Sequence, residues 1–140
     1  MKRRAAALLL LALLFGGCVY YPTIADVGGI RIRPKNSRAV ANPSGFAIYM
    51  DLDSTGAYGD AIVGATTDIA KTVVLVIPIV PDQPLPYRID VPAATLVRLT
   101  PQGPHFLLSD LTRAVARGEV VLVTVLFEKV GRIGVPTRIE

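Results

Sequence analysis

Phe46-Ala47-Ile48-Tyr49-Met50-Asp51-Leu52 and Val120-Val121-Leu122-Val123-Thr124-Val125-Leu126-Phe127-Glu128-Lys129 are the two stretches on which the fold is read. In the first, Phe46, Ile48, Met50 and Leu52 alternate with Ala47, Tyr49 and Asp51. A period of two is the spacing of a β-strand with one buried face, and it puts Met50 on the apolar side. In the second, Val121, Val123, Val125 and Phe127 share a face in the same way. Working outward, further short runs are separated by Pro, Gly, Asn and Asp: 30–33, 61–65, 72–80, 87–91, 95–100, 105–108 and 133–139. Many short β-branched runs punctuated by turn residues predict an all-β antiparallel sandwich or barrel. Residues 111–117 are the one place where a single helical turn is expected, ahead of Gly118. No internal repeat or low-complexity segment interrupts the pattern.

The N-terminus reads differently. Met1-Lys2-Arg3-Arg4 is followed by an apolar run from Ala5 to Phe15 and then by Gly16-Gly17-Cys18. A charged segment, an apolar segment and a small-residue processing site are the layout of a signal peptide, expected over residues 1–17. The run is shorter than the roughly 20 residues that span a bilayer, which makes a permanent transmembrane helix the weaker reading. The small residues before Cys18 resemble a bacterial lipobox, with Phe15 where an aliphatic residue is more usual. Cys18 is then the lipidation site, its sulfur consumed in a thioether. An intermolecular disulfide or a free thiol are the other uses of a lone exported cysteine. Residues 18–29, with Tyr20, Tyr21, Pro22 and Gly28-Gly29, are expected to tether the lipid to a domain over 30–140. The expected location is the periplasm or cell surface, with the membrane as partner through the anchor.

Composition narrows the function. The chain carries 15 Lys and Arg against 11 Asp and Glu, but Lys2, Arg3 and Arg4 leave with the signal peptide, and twelve against eleven is a net charge of +1. No basic cluster survives to bind nucleic acid. The chain has one histidine, His105, which would have to fill every histidine role in an enzyme. Ser109 and Asp110 are neighbours whose side chains point apart, and no Gly-x-Ser-x-Gly elbow is present. Gly28-Gly29 lacks the rest of a phosphate loop. Asp51, Asp53, Asp60 and Asp68 do not follow the spacing of a Ca²⁺ loop. The expectation is a protein that is not an enzyme.

The C-terminal half carries a family resemblance. Gly103-Pro104-His105-Phe106-Leu107-Leu108 is followed, with no gap needed, by Leu122 to Gly131 containing Phe127-Glu128-Lys129. Upstream stand Ala47-Ile48-Tyr49-Met50, then Asp60-Ala61-Ile62-Val63-Gly64-Ala65, then Ala70-Lys71-Thr72-Val73-Val74-Leu75. Together these resemble the PCu(A)C family of periplasmic copper chaperones. The resemblance implies a cupredoxin-like or Ig-like antiparallel β-sandwich, and Cu(I) held by histidines and methionines, soft ligands suited to that ion.

Measured against that ligand pattern, the sequence departs. The first family histidine falls on Val76, and the methionine after it falls near Gln83, where none exists. Between Val76 and His105 lie 28 residues, fewer than the family's spacing, and the shortened stretch is the proline-rich 78–86. The family's His-x-Met pair reads His105-Phe106-Leu107. His105 matches a ligand position and Met50 matches the Tyr-Met segment, so these two are the candidate metal residues. Beside each stands a plainer role: His105 packing at the start of a strand, Met50 filling core. No resident cofactor is expected, with Cu(I) as the alternative. Two functions follow: an anchored binding or scaffold module that keeps the fold and has lost the copper site, or a Cu(I) chaperone serving a respiratory copper centre through an altered ligand set. In the first, a protein partner in the cell envelope would use the newly apolar surface, and 78–86 is either part of that surface or a rigid connection.

Overall fold

A computed structural model describes residues 22–78 and 88–140. Among them are ten strands and no helix: β1 (Ala25–Val27), β2 (Ile30–Asn42), β3 (Gly45–Ser54), β4 (Asp60–Thr67), β5 (Ala70–Val76), β6 (Ile89–Val91), β7 (Thr95–Arg98), β8 (His105–Leu111), β9 (Val120–Phe127) and β10 (Gly131–Ile139). They form one sheet in the order β5-β8-β3-β2-β10-β9-β4-β6, with β1 added to β2 and β7 added to β3. The sheet curls over itself. The Asp68-Ile69 turn carries the chain from β4, near one end of that order, to β5 at the other.

The curl closes over the apolar faces foreseen from alternation. Ile48, Met50 and Leu52 on β3, Val123 and Val125 on β9 and Phe106 on β8 are wholly buried, with Phe46, Leu108, Val121 and Phe127 nearly so. At roughly 25 cal/mol per Å² of apolar surface removed from water, side chains of this kind stabilise the fold by about 1.5–3 kcal/mol each.

Three local features differ from expectation. The strand predicted over 30–33 runs on to Asn42, because Pro34, which reads as a break, is absorbed by a register shift between Lys35 and Arg38. Asn36 takes the left-handed conformation there, at φ 54°, one that Asn tolerates better than most residues. The Ser37 and Thr137 hydroxyls, 2.7 Å apart, tie this bulge to β10. The second difference is the pairing of β2 with β10, which is parallel, Arg138 beside Arg38 and Ile139 beside Ala39, in a sheet otherwise antiparallel. Third, residues 111–117 form no helical turn. Leu111 ends β8, Thr112 donates to the carbonyls of Ile69 and Asp68, and Glu119 accepts from the Ala116 amide and from Arg113 at 2.7 Å. These side-chain and cross-strand bonds take the backbone groups that a helical turn would use. The Arg113 guanidinium, then the Ala116 amide, hold the Glu119 carboxyl below the usual carboxylate range.

The fold also begins before Ile30. Within the expected tether, Ala25 is buried and Ala25–Val27 pair with Ile30–Ile32, while the Pro22 carbonyl accepts from the Gly134 amide at 2.9 Å. Cys18 and the signal segment lie outside the described residues.

One buried acid organises the opposite end. Asp60 accepts from the amides of Ala61 at 2.8 Å, Lys129 at 3.0 Å and Val130 at 3.0 Å, bracing the β9–β10 turn against β4. Removing the carboxylate strands these donors where protein has replaced water. Asp60→Ala is expected to lower unfolding stability by about 2–3 kcal/mol, read in urea titrations as a lower midpoint with an unchanged slope.

Candidate functional site

β3 is the central strand of its half of the sheet, and β8 enters beside it at its N-terminal end, with Phe46 opposite Leu108, Ala47 opposite Leu107 and Ile48 opposite Phe106. This approach depends on Gly45. Its φ is +156°, and a Cβ there would lie 2.1 Å from the Leu108 carbonyl oxygen. Paired residues share a face and successive residues alternate. Phe106 therefore joins Ile48 and Met50 in the core, while His105 and Leu107 join Tyr49 and Ala47 on the outer face.

His105 is delivered by a tight loop. Thr100 donates its amide to the Pro104 carbonyl at 3.1 Å, and the Gly103 amide donates to Thr100 Oγ1 at 3.0 Å. The loop turns the Gly103 carbonyl onto His105 Nδ1 at 2.9 Å. A carbonyl can only accept, so Nδ1 carries the proton, and in the neutral ring the lone pair falls on Nε2. The His105 ring packs against Tyr49, centroids 5.6 Å apart, and the Arg38 guanidinium sits 5.5 Å from the centre of the Tyr49 ring, within cation–π range. On the other side, His105 pairs directly with Val76 of β5. One row across the outer face thus reads Arg38, Tyr49, His105, Val76. The next row reads Val40, Ala47, Leu107, Val74, with Val74 about half exposed.

This arrangement separates the two candidate metal residues. Met50 is wholly buried beneath the sheet and its backbone carbonyl accepts from Leu99, while His105 lies on the opposite face. They cannot meet at one ion. The residue facing His105 is Val76, and the one two places further along its strand is Leu107. Neither offers a soft donor. Among the described residues no three His, Cys, Asp or Glu side chains gather as a metal group, and the described strand neighbours of His105, Val76 and Tyr49, bring no thioether or second imidazole to it. The position near Gln83, and most of 78–86, lies outside the described residues.

Tyr49 and Arg38 were not singled out as site residues from the sequence. Alternation already puts Tyr49 opposite in sense to Met50. Arg38 lies beyond the run 30–33 read as a strand, in the part of β2 that continues past Pro34.

Among known proteins, the model of the LpqE-like family matches residues 27–139. The chain belongs to the LpqE-like family. No curated protein matches it. Solved structures share its fold: a copper-bound PCuAC domain from PmoF2, 21% identical with a TM-score of 0.66, covering 84% of this chain and 97% of that one; an apo PCuAC domain from PmoF1, 22% identical with a TM-score of 0.64, covering 84% and 98%; and the Cu(I) form of a Deinococcus radiodurans protein, 22% identical with a TM-score of 0.63, covering 76% of each. This LpqE-like chain therefore has the PCuAC fold, as the sequence resemblance implied.

Directly paired residues hold their Cβ atoms about 4.5–5.5 Å apart, close enough for two imidazoles to share an ion. Val76→His with Leu107→Met is accordingly expected to tighten Cu(I) binding over the wild type by roughly a hundredfold, about 2.7 kcal/mol, in competition against a chromophoric Cu(I) chelator. No gain in a folded variant would contradict the placement of Val76 and Leu107 beside His105.

Proposed function

We propose that this LpqE-like protein is a non-enzymatic lipoprotein of the cell envelope, anchored through Cys18, that keeps the PCuAC fold without its copper site and works as a binding or scaffold module through the outer face around His105. The observation that carries this reading is the direct pairing of His105 with Val76, with Leu107 next on the same face. Where the resembled family sets soft ligands, this chain sets aliphatic ones, and Val74 extends them into solvent. Val40, Leu107 and Val76 are half-buried around it, while Ala47 and Tyr49 are buried beneath their neighbours; apolar surface left open beside polar residues is a mark of protein contact. The family description names a lipoprotein, which agrees with the lipobox-like Gly16-Gly17-Cys18. The net charge of the processed chain gives nucleic acid no purchase.

A second reading, a Cu(I) chaperone with an altered ligand set, has one observation in its favour. The bond from His105 Nδ1 to the Gly103 carbonyl leaves Nε2 as the free donor atom, the orientation that a metal-ligating histidine is given by its supporting shell. The remaining ligands would have to come from a partner.

Recovery of the protein from copper-grown cells, under anaerobic conditions and in detergent, decides between the two. The contact reading expects copper far below one ion per chain by mass spectrometry, and membrane association that Cys18→Ser abolishes. Equimolar copper would transfer support to the chaperone reading, and unaltered membrane association of Cys18→Ser would sink the anchor.

A further inference from the structure

Arg38 and Arg138 stand directly opposite each other where β2 and β10 run parallel. Paired residues leave the sheet on the same side, so both guanidinium groups rise from the outer face next to Tyr49. Like charges in this relation destabilise a sheet, and an acid on a neighbouring strand would ordinarily relieve them. None does so here. Neither arginine shares an ion pair with a described acid, whereas Lys35 pairs with Asp53, Arg88 with Asp90 and Glu128, and Arg113 with Glu119. Arg38 reaches the Asn36 carbonyl at 3.5 Å and the Tyr49 ring. Beside Arg138 opens a cleft of about 310 Å³ lined also by Arg117, Gly118, Ile139 and Glu140. Glu140 lines this cleft without coming within ion-pair distance of either arginine.

The contrast within the same face is informative. Further along β2 and β3, Lys35 is paired with Asp53, and Asn36 bonds Asp51 at 3.1 Å. Both aspartates there have a partner inside the fold. The two facing arginines sit at the border of the rows Val40, Ala47, Leu107, Val74 and Tyr49, His105, Val76. We propose that Arg38 and Arg138 form a carboxylate-receiving pair that registers an acidic protein partner on this apolar face. The proposal rests on the contact reading above and adds the chemistry of the partner: an Asp or Glu side chain next to apolar residues. Guanidinium forks match a planar carboxylate through paired N–H donors, and half-exposed Val74 with the half-buried Val40, Leu107 and Val76 gives a partner apolar surface to pack against. Two arginines are fewer than the roughly 4–8 basic residues that hold a segment to anionic lipid.

The test uses the full-length chain in phosphatidylcholine nanodiscs and, as probe, a fluorescein-labelled peptide of alternating Glu and Val beside its Gln-Val twin, followed by fluorescence anisotropy. The Glu peptide is expected to bind at least about tenfold more tightly than its twin, with an advantage that falls as salt is raised. Arg38→Gln with Arg138→Gln should remove that advantage, and Val74→Asn should weaken both peptides. If Val74→Asn acts and the arginine variant does not, the contact face stands and the carboxylate pair falls. If neither acts, or neither peptide binds, both are overturned. Arginine-dependent binding to phosphatidylglycerol vesicles with no preference for the Glu peptide would also overturn the proposal, in favour of a lipid surface. A separate readout checks the unmatched charge: Arg138→Thr should raise the melting temperature by about 2–4 °C, and a fall would mean that the arginine is held by the fold and not reserved for a partner.

Discussion

Everything at the surface of this molecule depends on the register of β3 against its neighbours. Ile48, Met50 and Leu52 are wholly buried, and a strand with one face committed to a core has no freedom to slip. A shift of one residue would expel all three and turn Tyr49 and Asp51 into the core in their place. With β3 pinned, the pairing of Ile48 with Phe106 pins β8, and that of Val76 with His105 pins β5. The outer face is therefore decided by the inner one. Tyr49, His105 and Val76 share a row because Met50, Phe106 and Leu75 could not go there.

The same face is divided along its length. Where β2 and β3 carry Lys35, Asp51 and Asp53, each aspartate has a side-chain partner, Lys35 for Asp53 and Asn36 for Asp51. Past the bulge at Asn36 the face gains aliphatic residues, and Tyr49 is flanked by the Arg38 guanidinium on one side and the His105 ring on the other. A bulge increases local twist and re-aims the side chains after it, and here it marks the change from a solvated surface to one suited to contact. Exposed ion pairs of the Lys35–Asp53 kind contribute little to stability, typically about 0–1 kcal/mol. The two halves thus differ less in what they add to the fold than in what they offer to another molecule.

Much of this was legible in the sequence. The alternation of Phe46, Ile48, Met50 and Leu52, and of Val121, Val123, Val125 and Phe127, identified buried faces, since a period of two leaves little choice. Placement of Met50 in that alternation already spoke against its being a ligand. The ligand-position comparison picks out Val76, which pairs with His105, and Leu107, two residues along the same strand. What stayed hidden was non-local. Nothing in the order of residues announces that β10 lies parallel to β2, and so nothing brings Arg138 to Arg38. Pro34 read as a stop because the bulge that accommodates it needs Asn36 in a left-handed conformation and a hydroxyl from Thr137, a hundred residues away. The helical turn expected over 111–117 failed for a similar reason: Thr112 is claimed by Asp68 and Ile69 from another part of the chain.

The central claim is that the PCuAC fold is retained here with a single oriented histidine and no complete Cu(I) ligand set. A Cu(I) competition titration of the processed chain under reducing conditions, run beside His105→Ala, addresses it directly. The account predicts weak binding that is nearly the same in both proteins. Tight, stoichiometric binding that disappears in His105→Ala would contradict it.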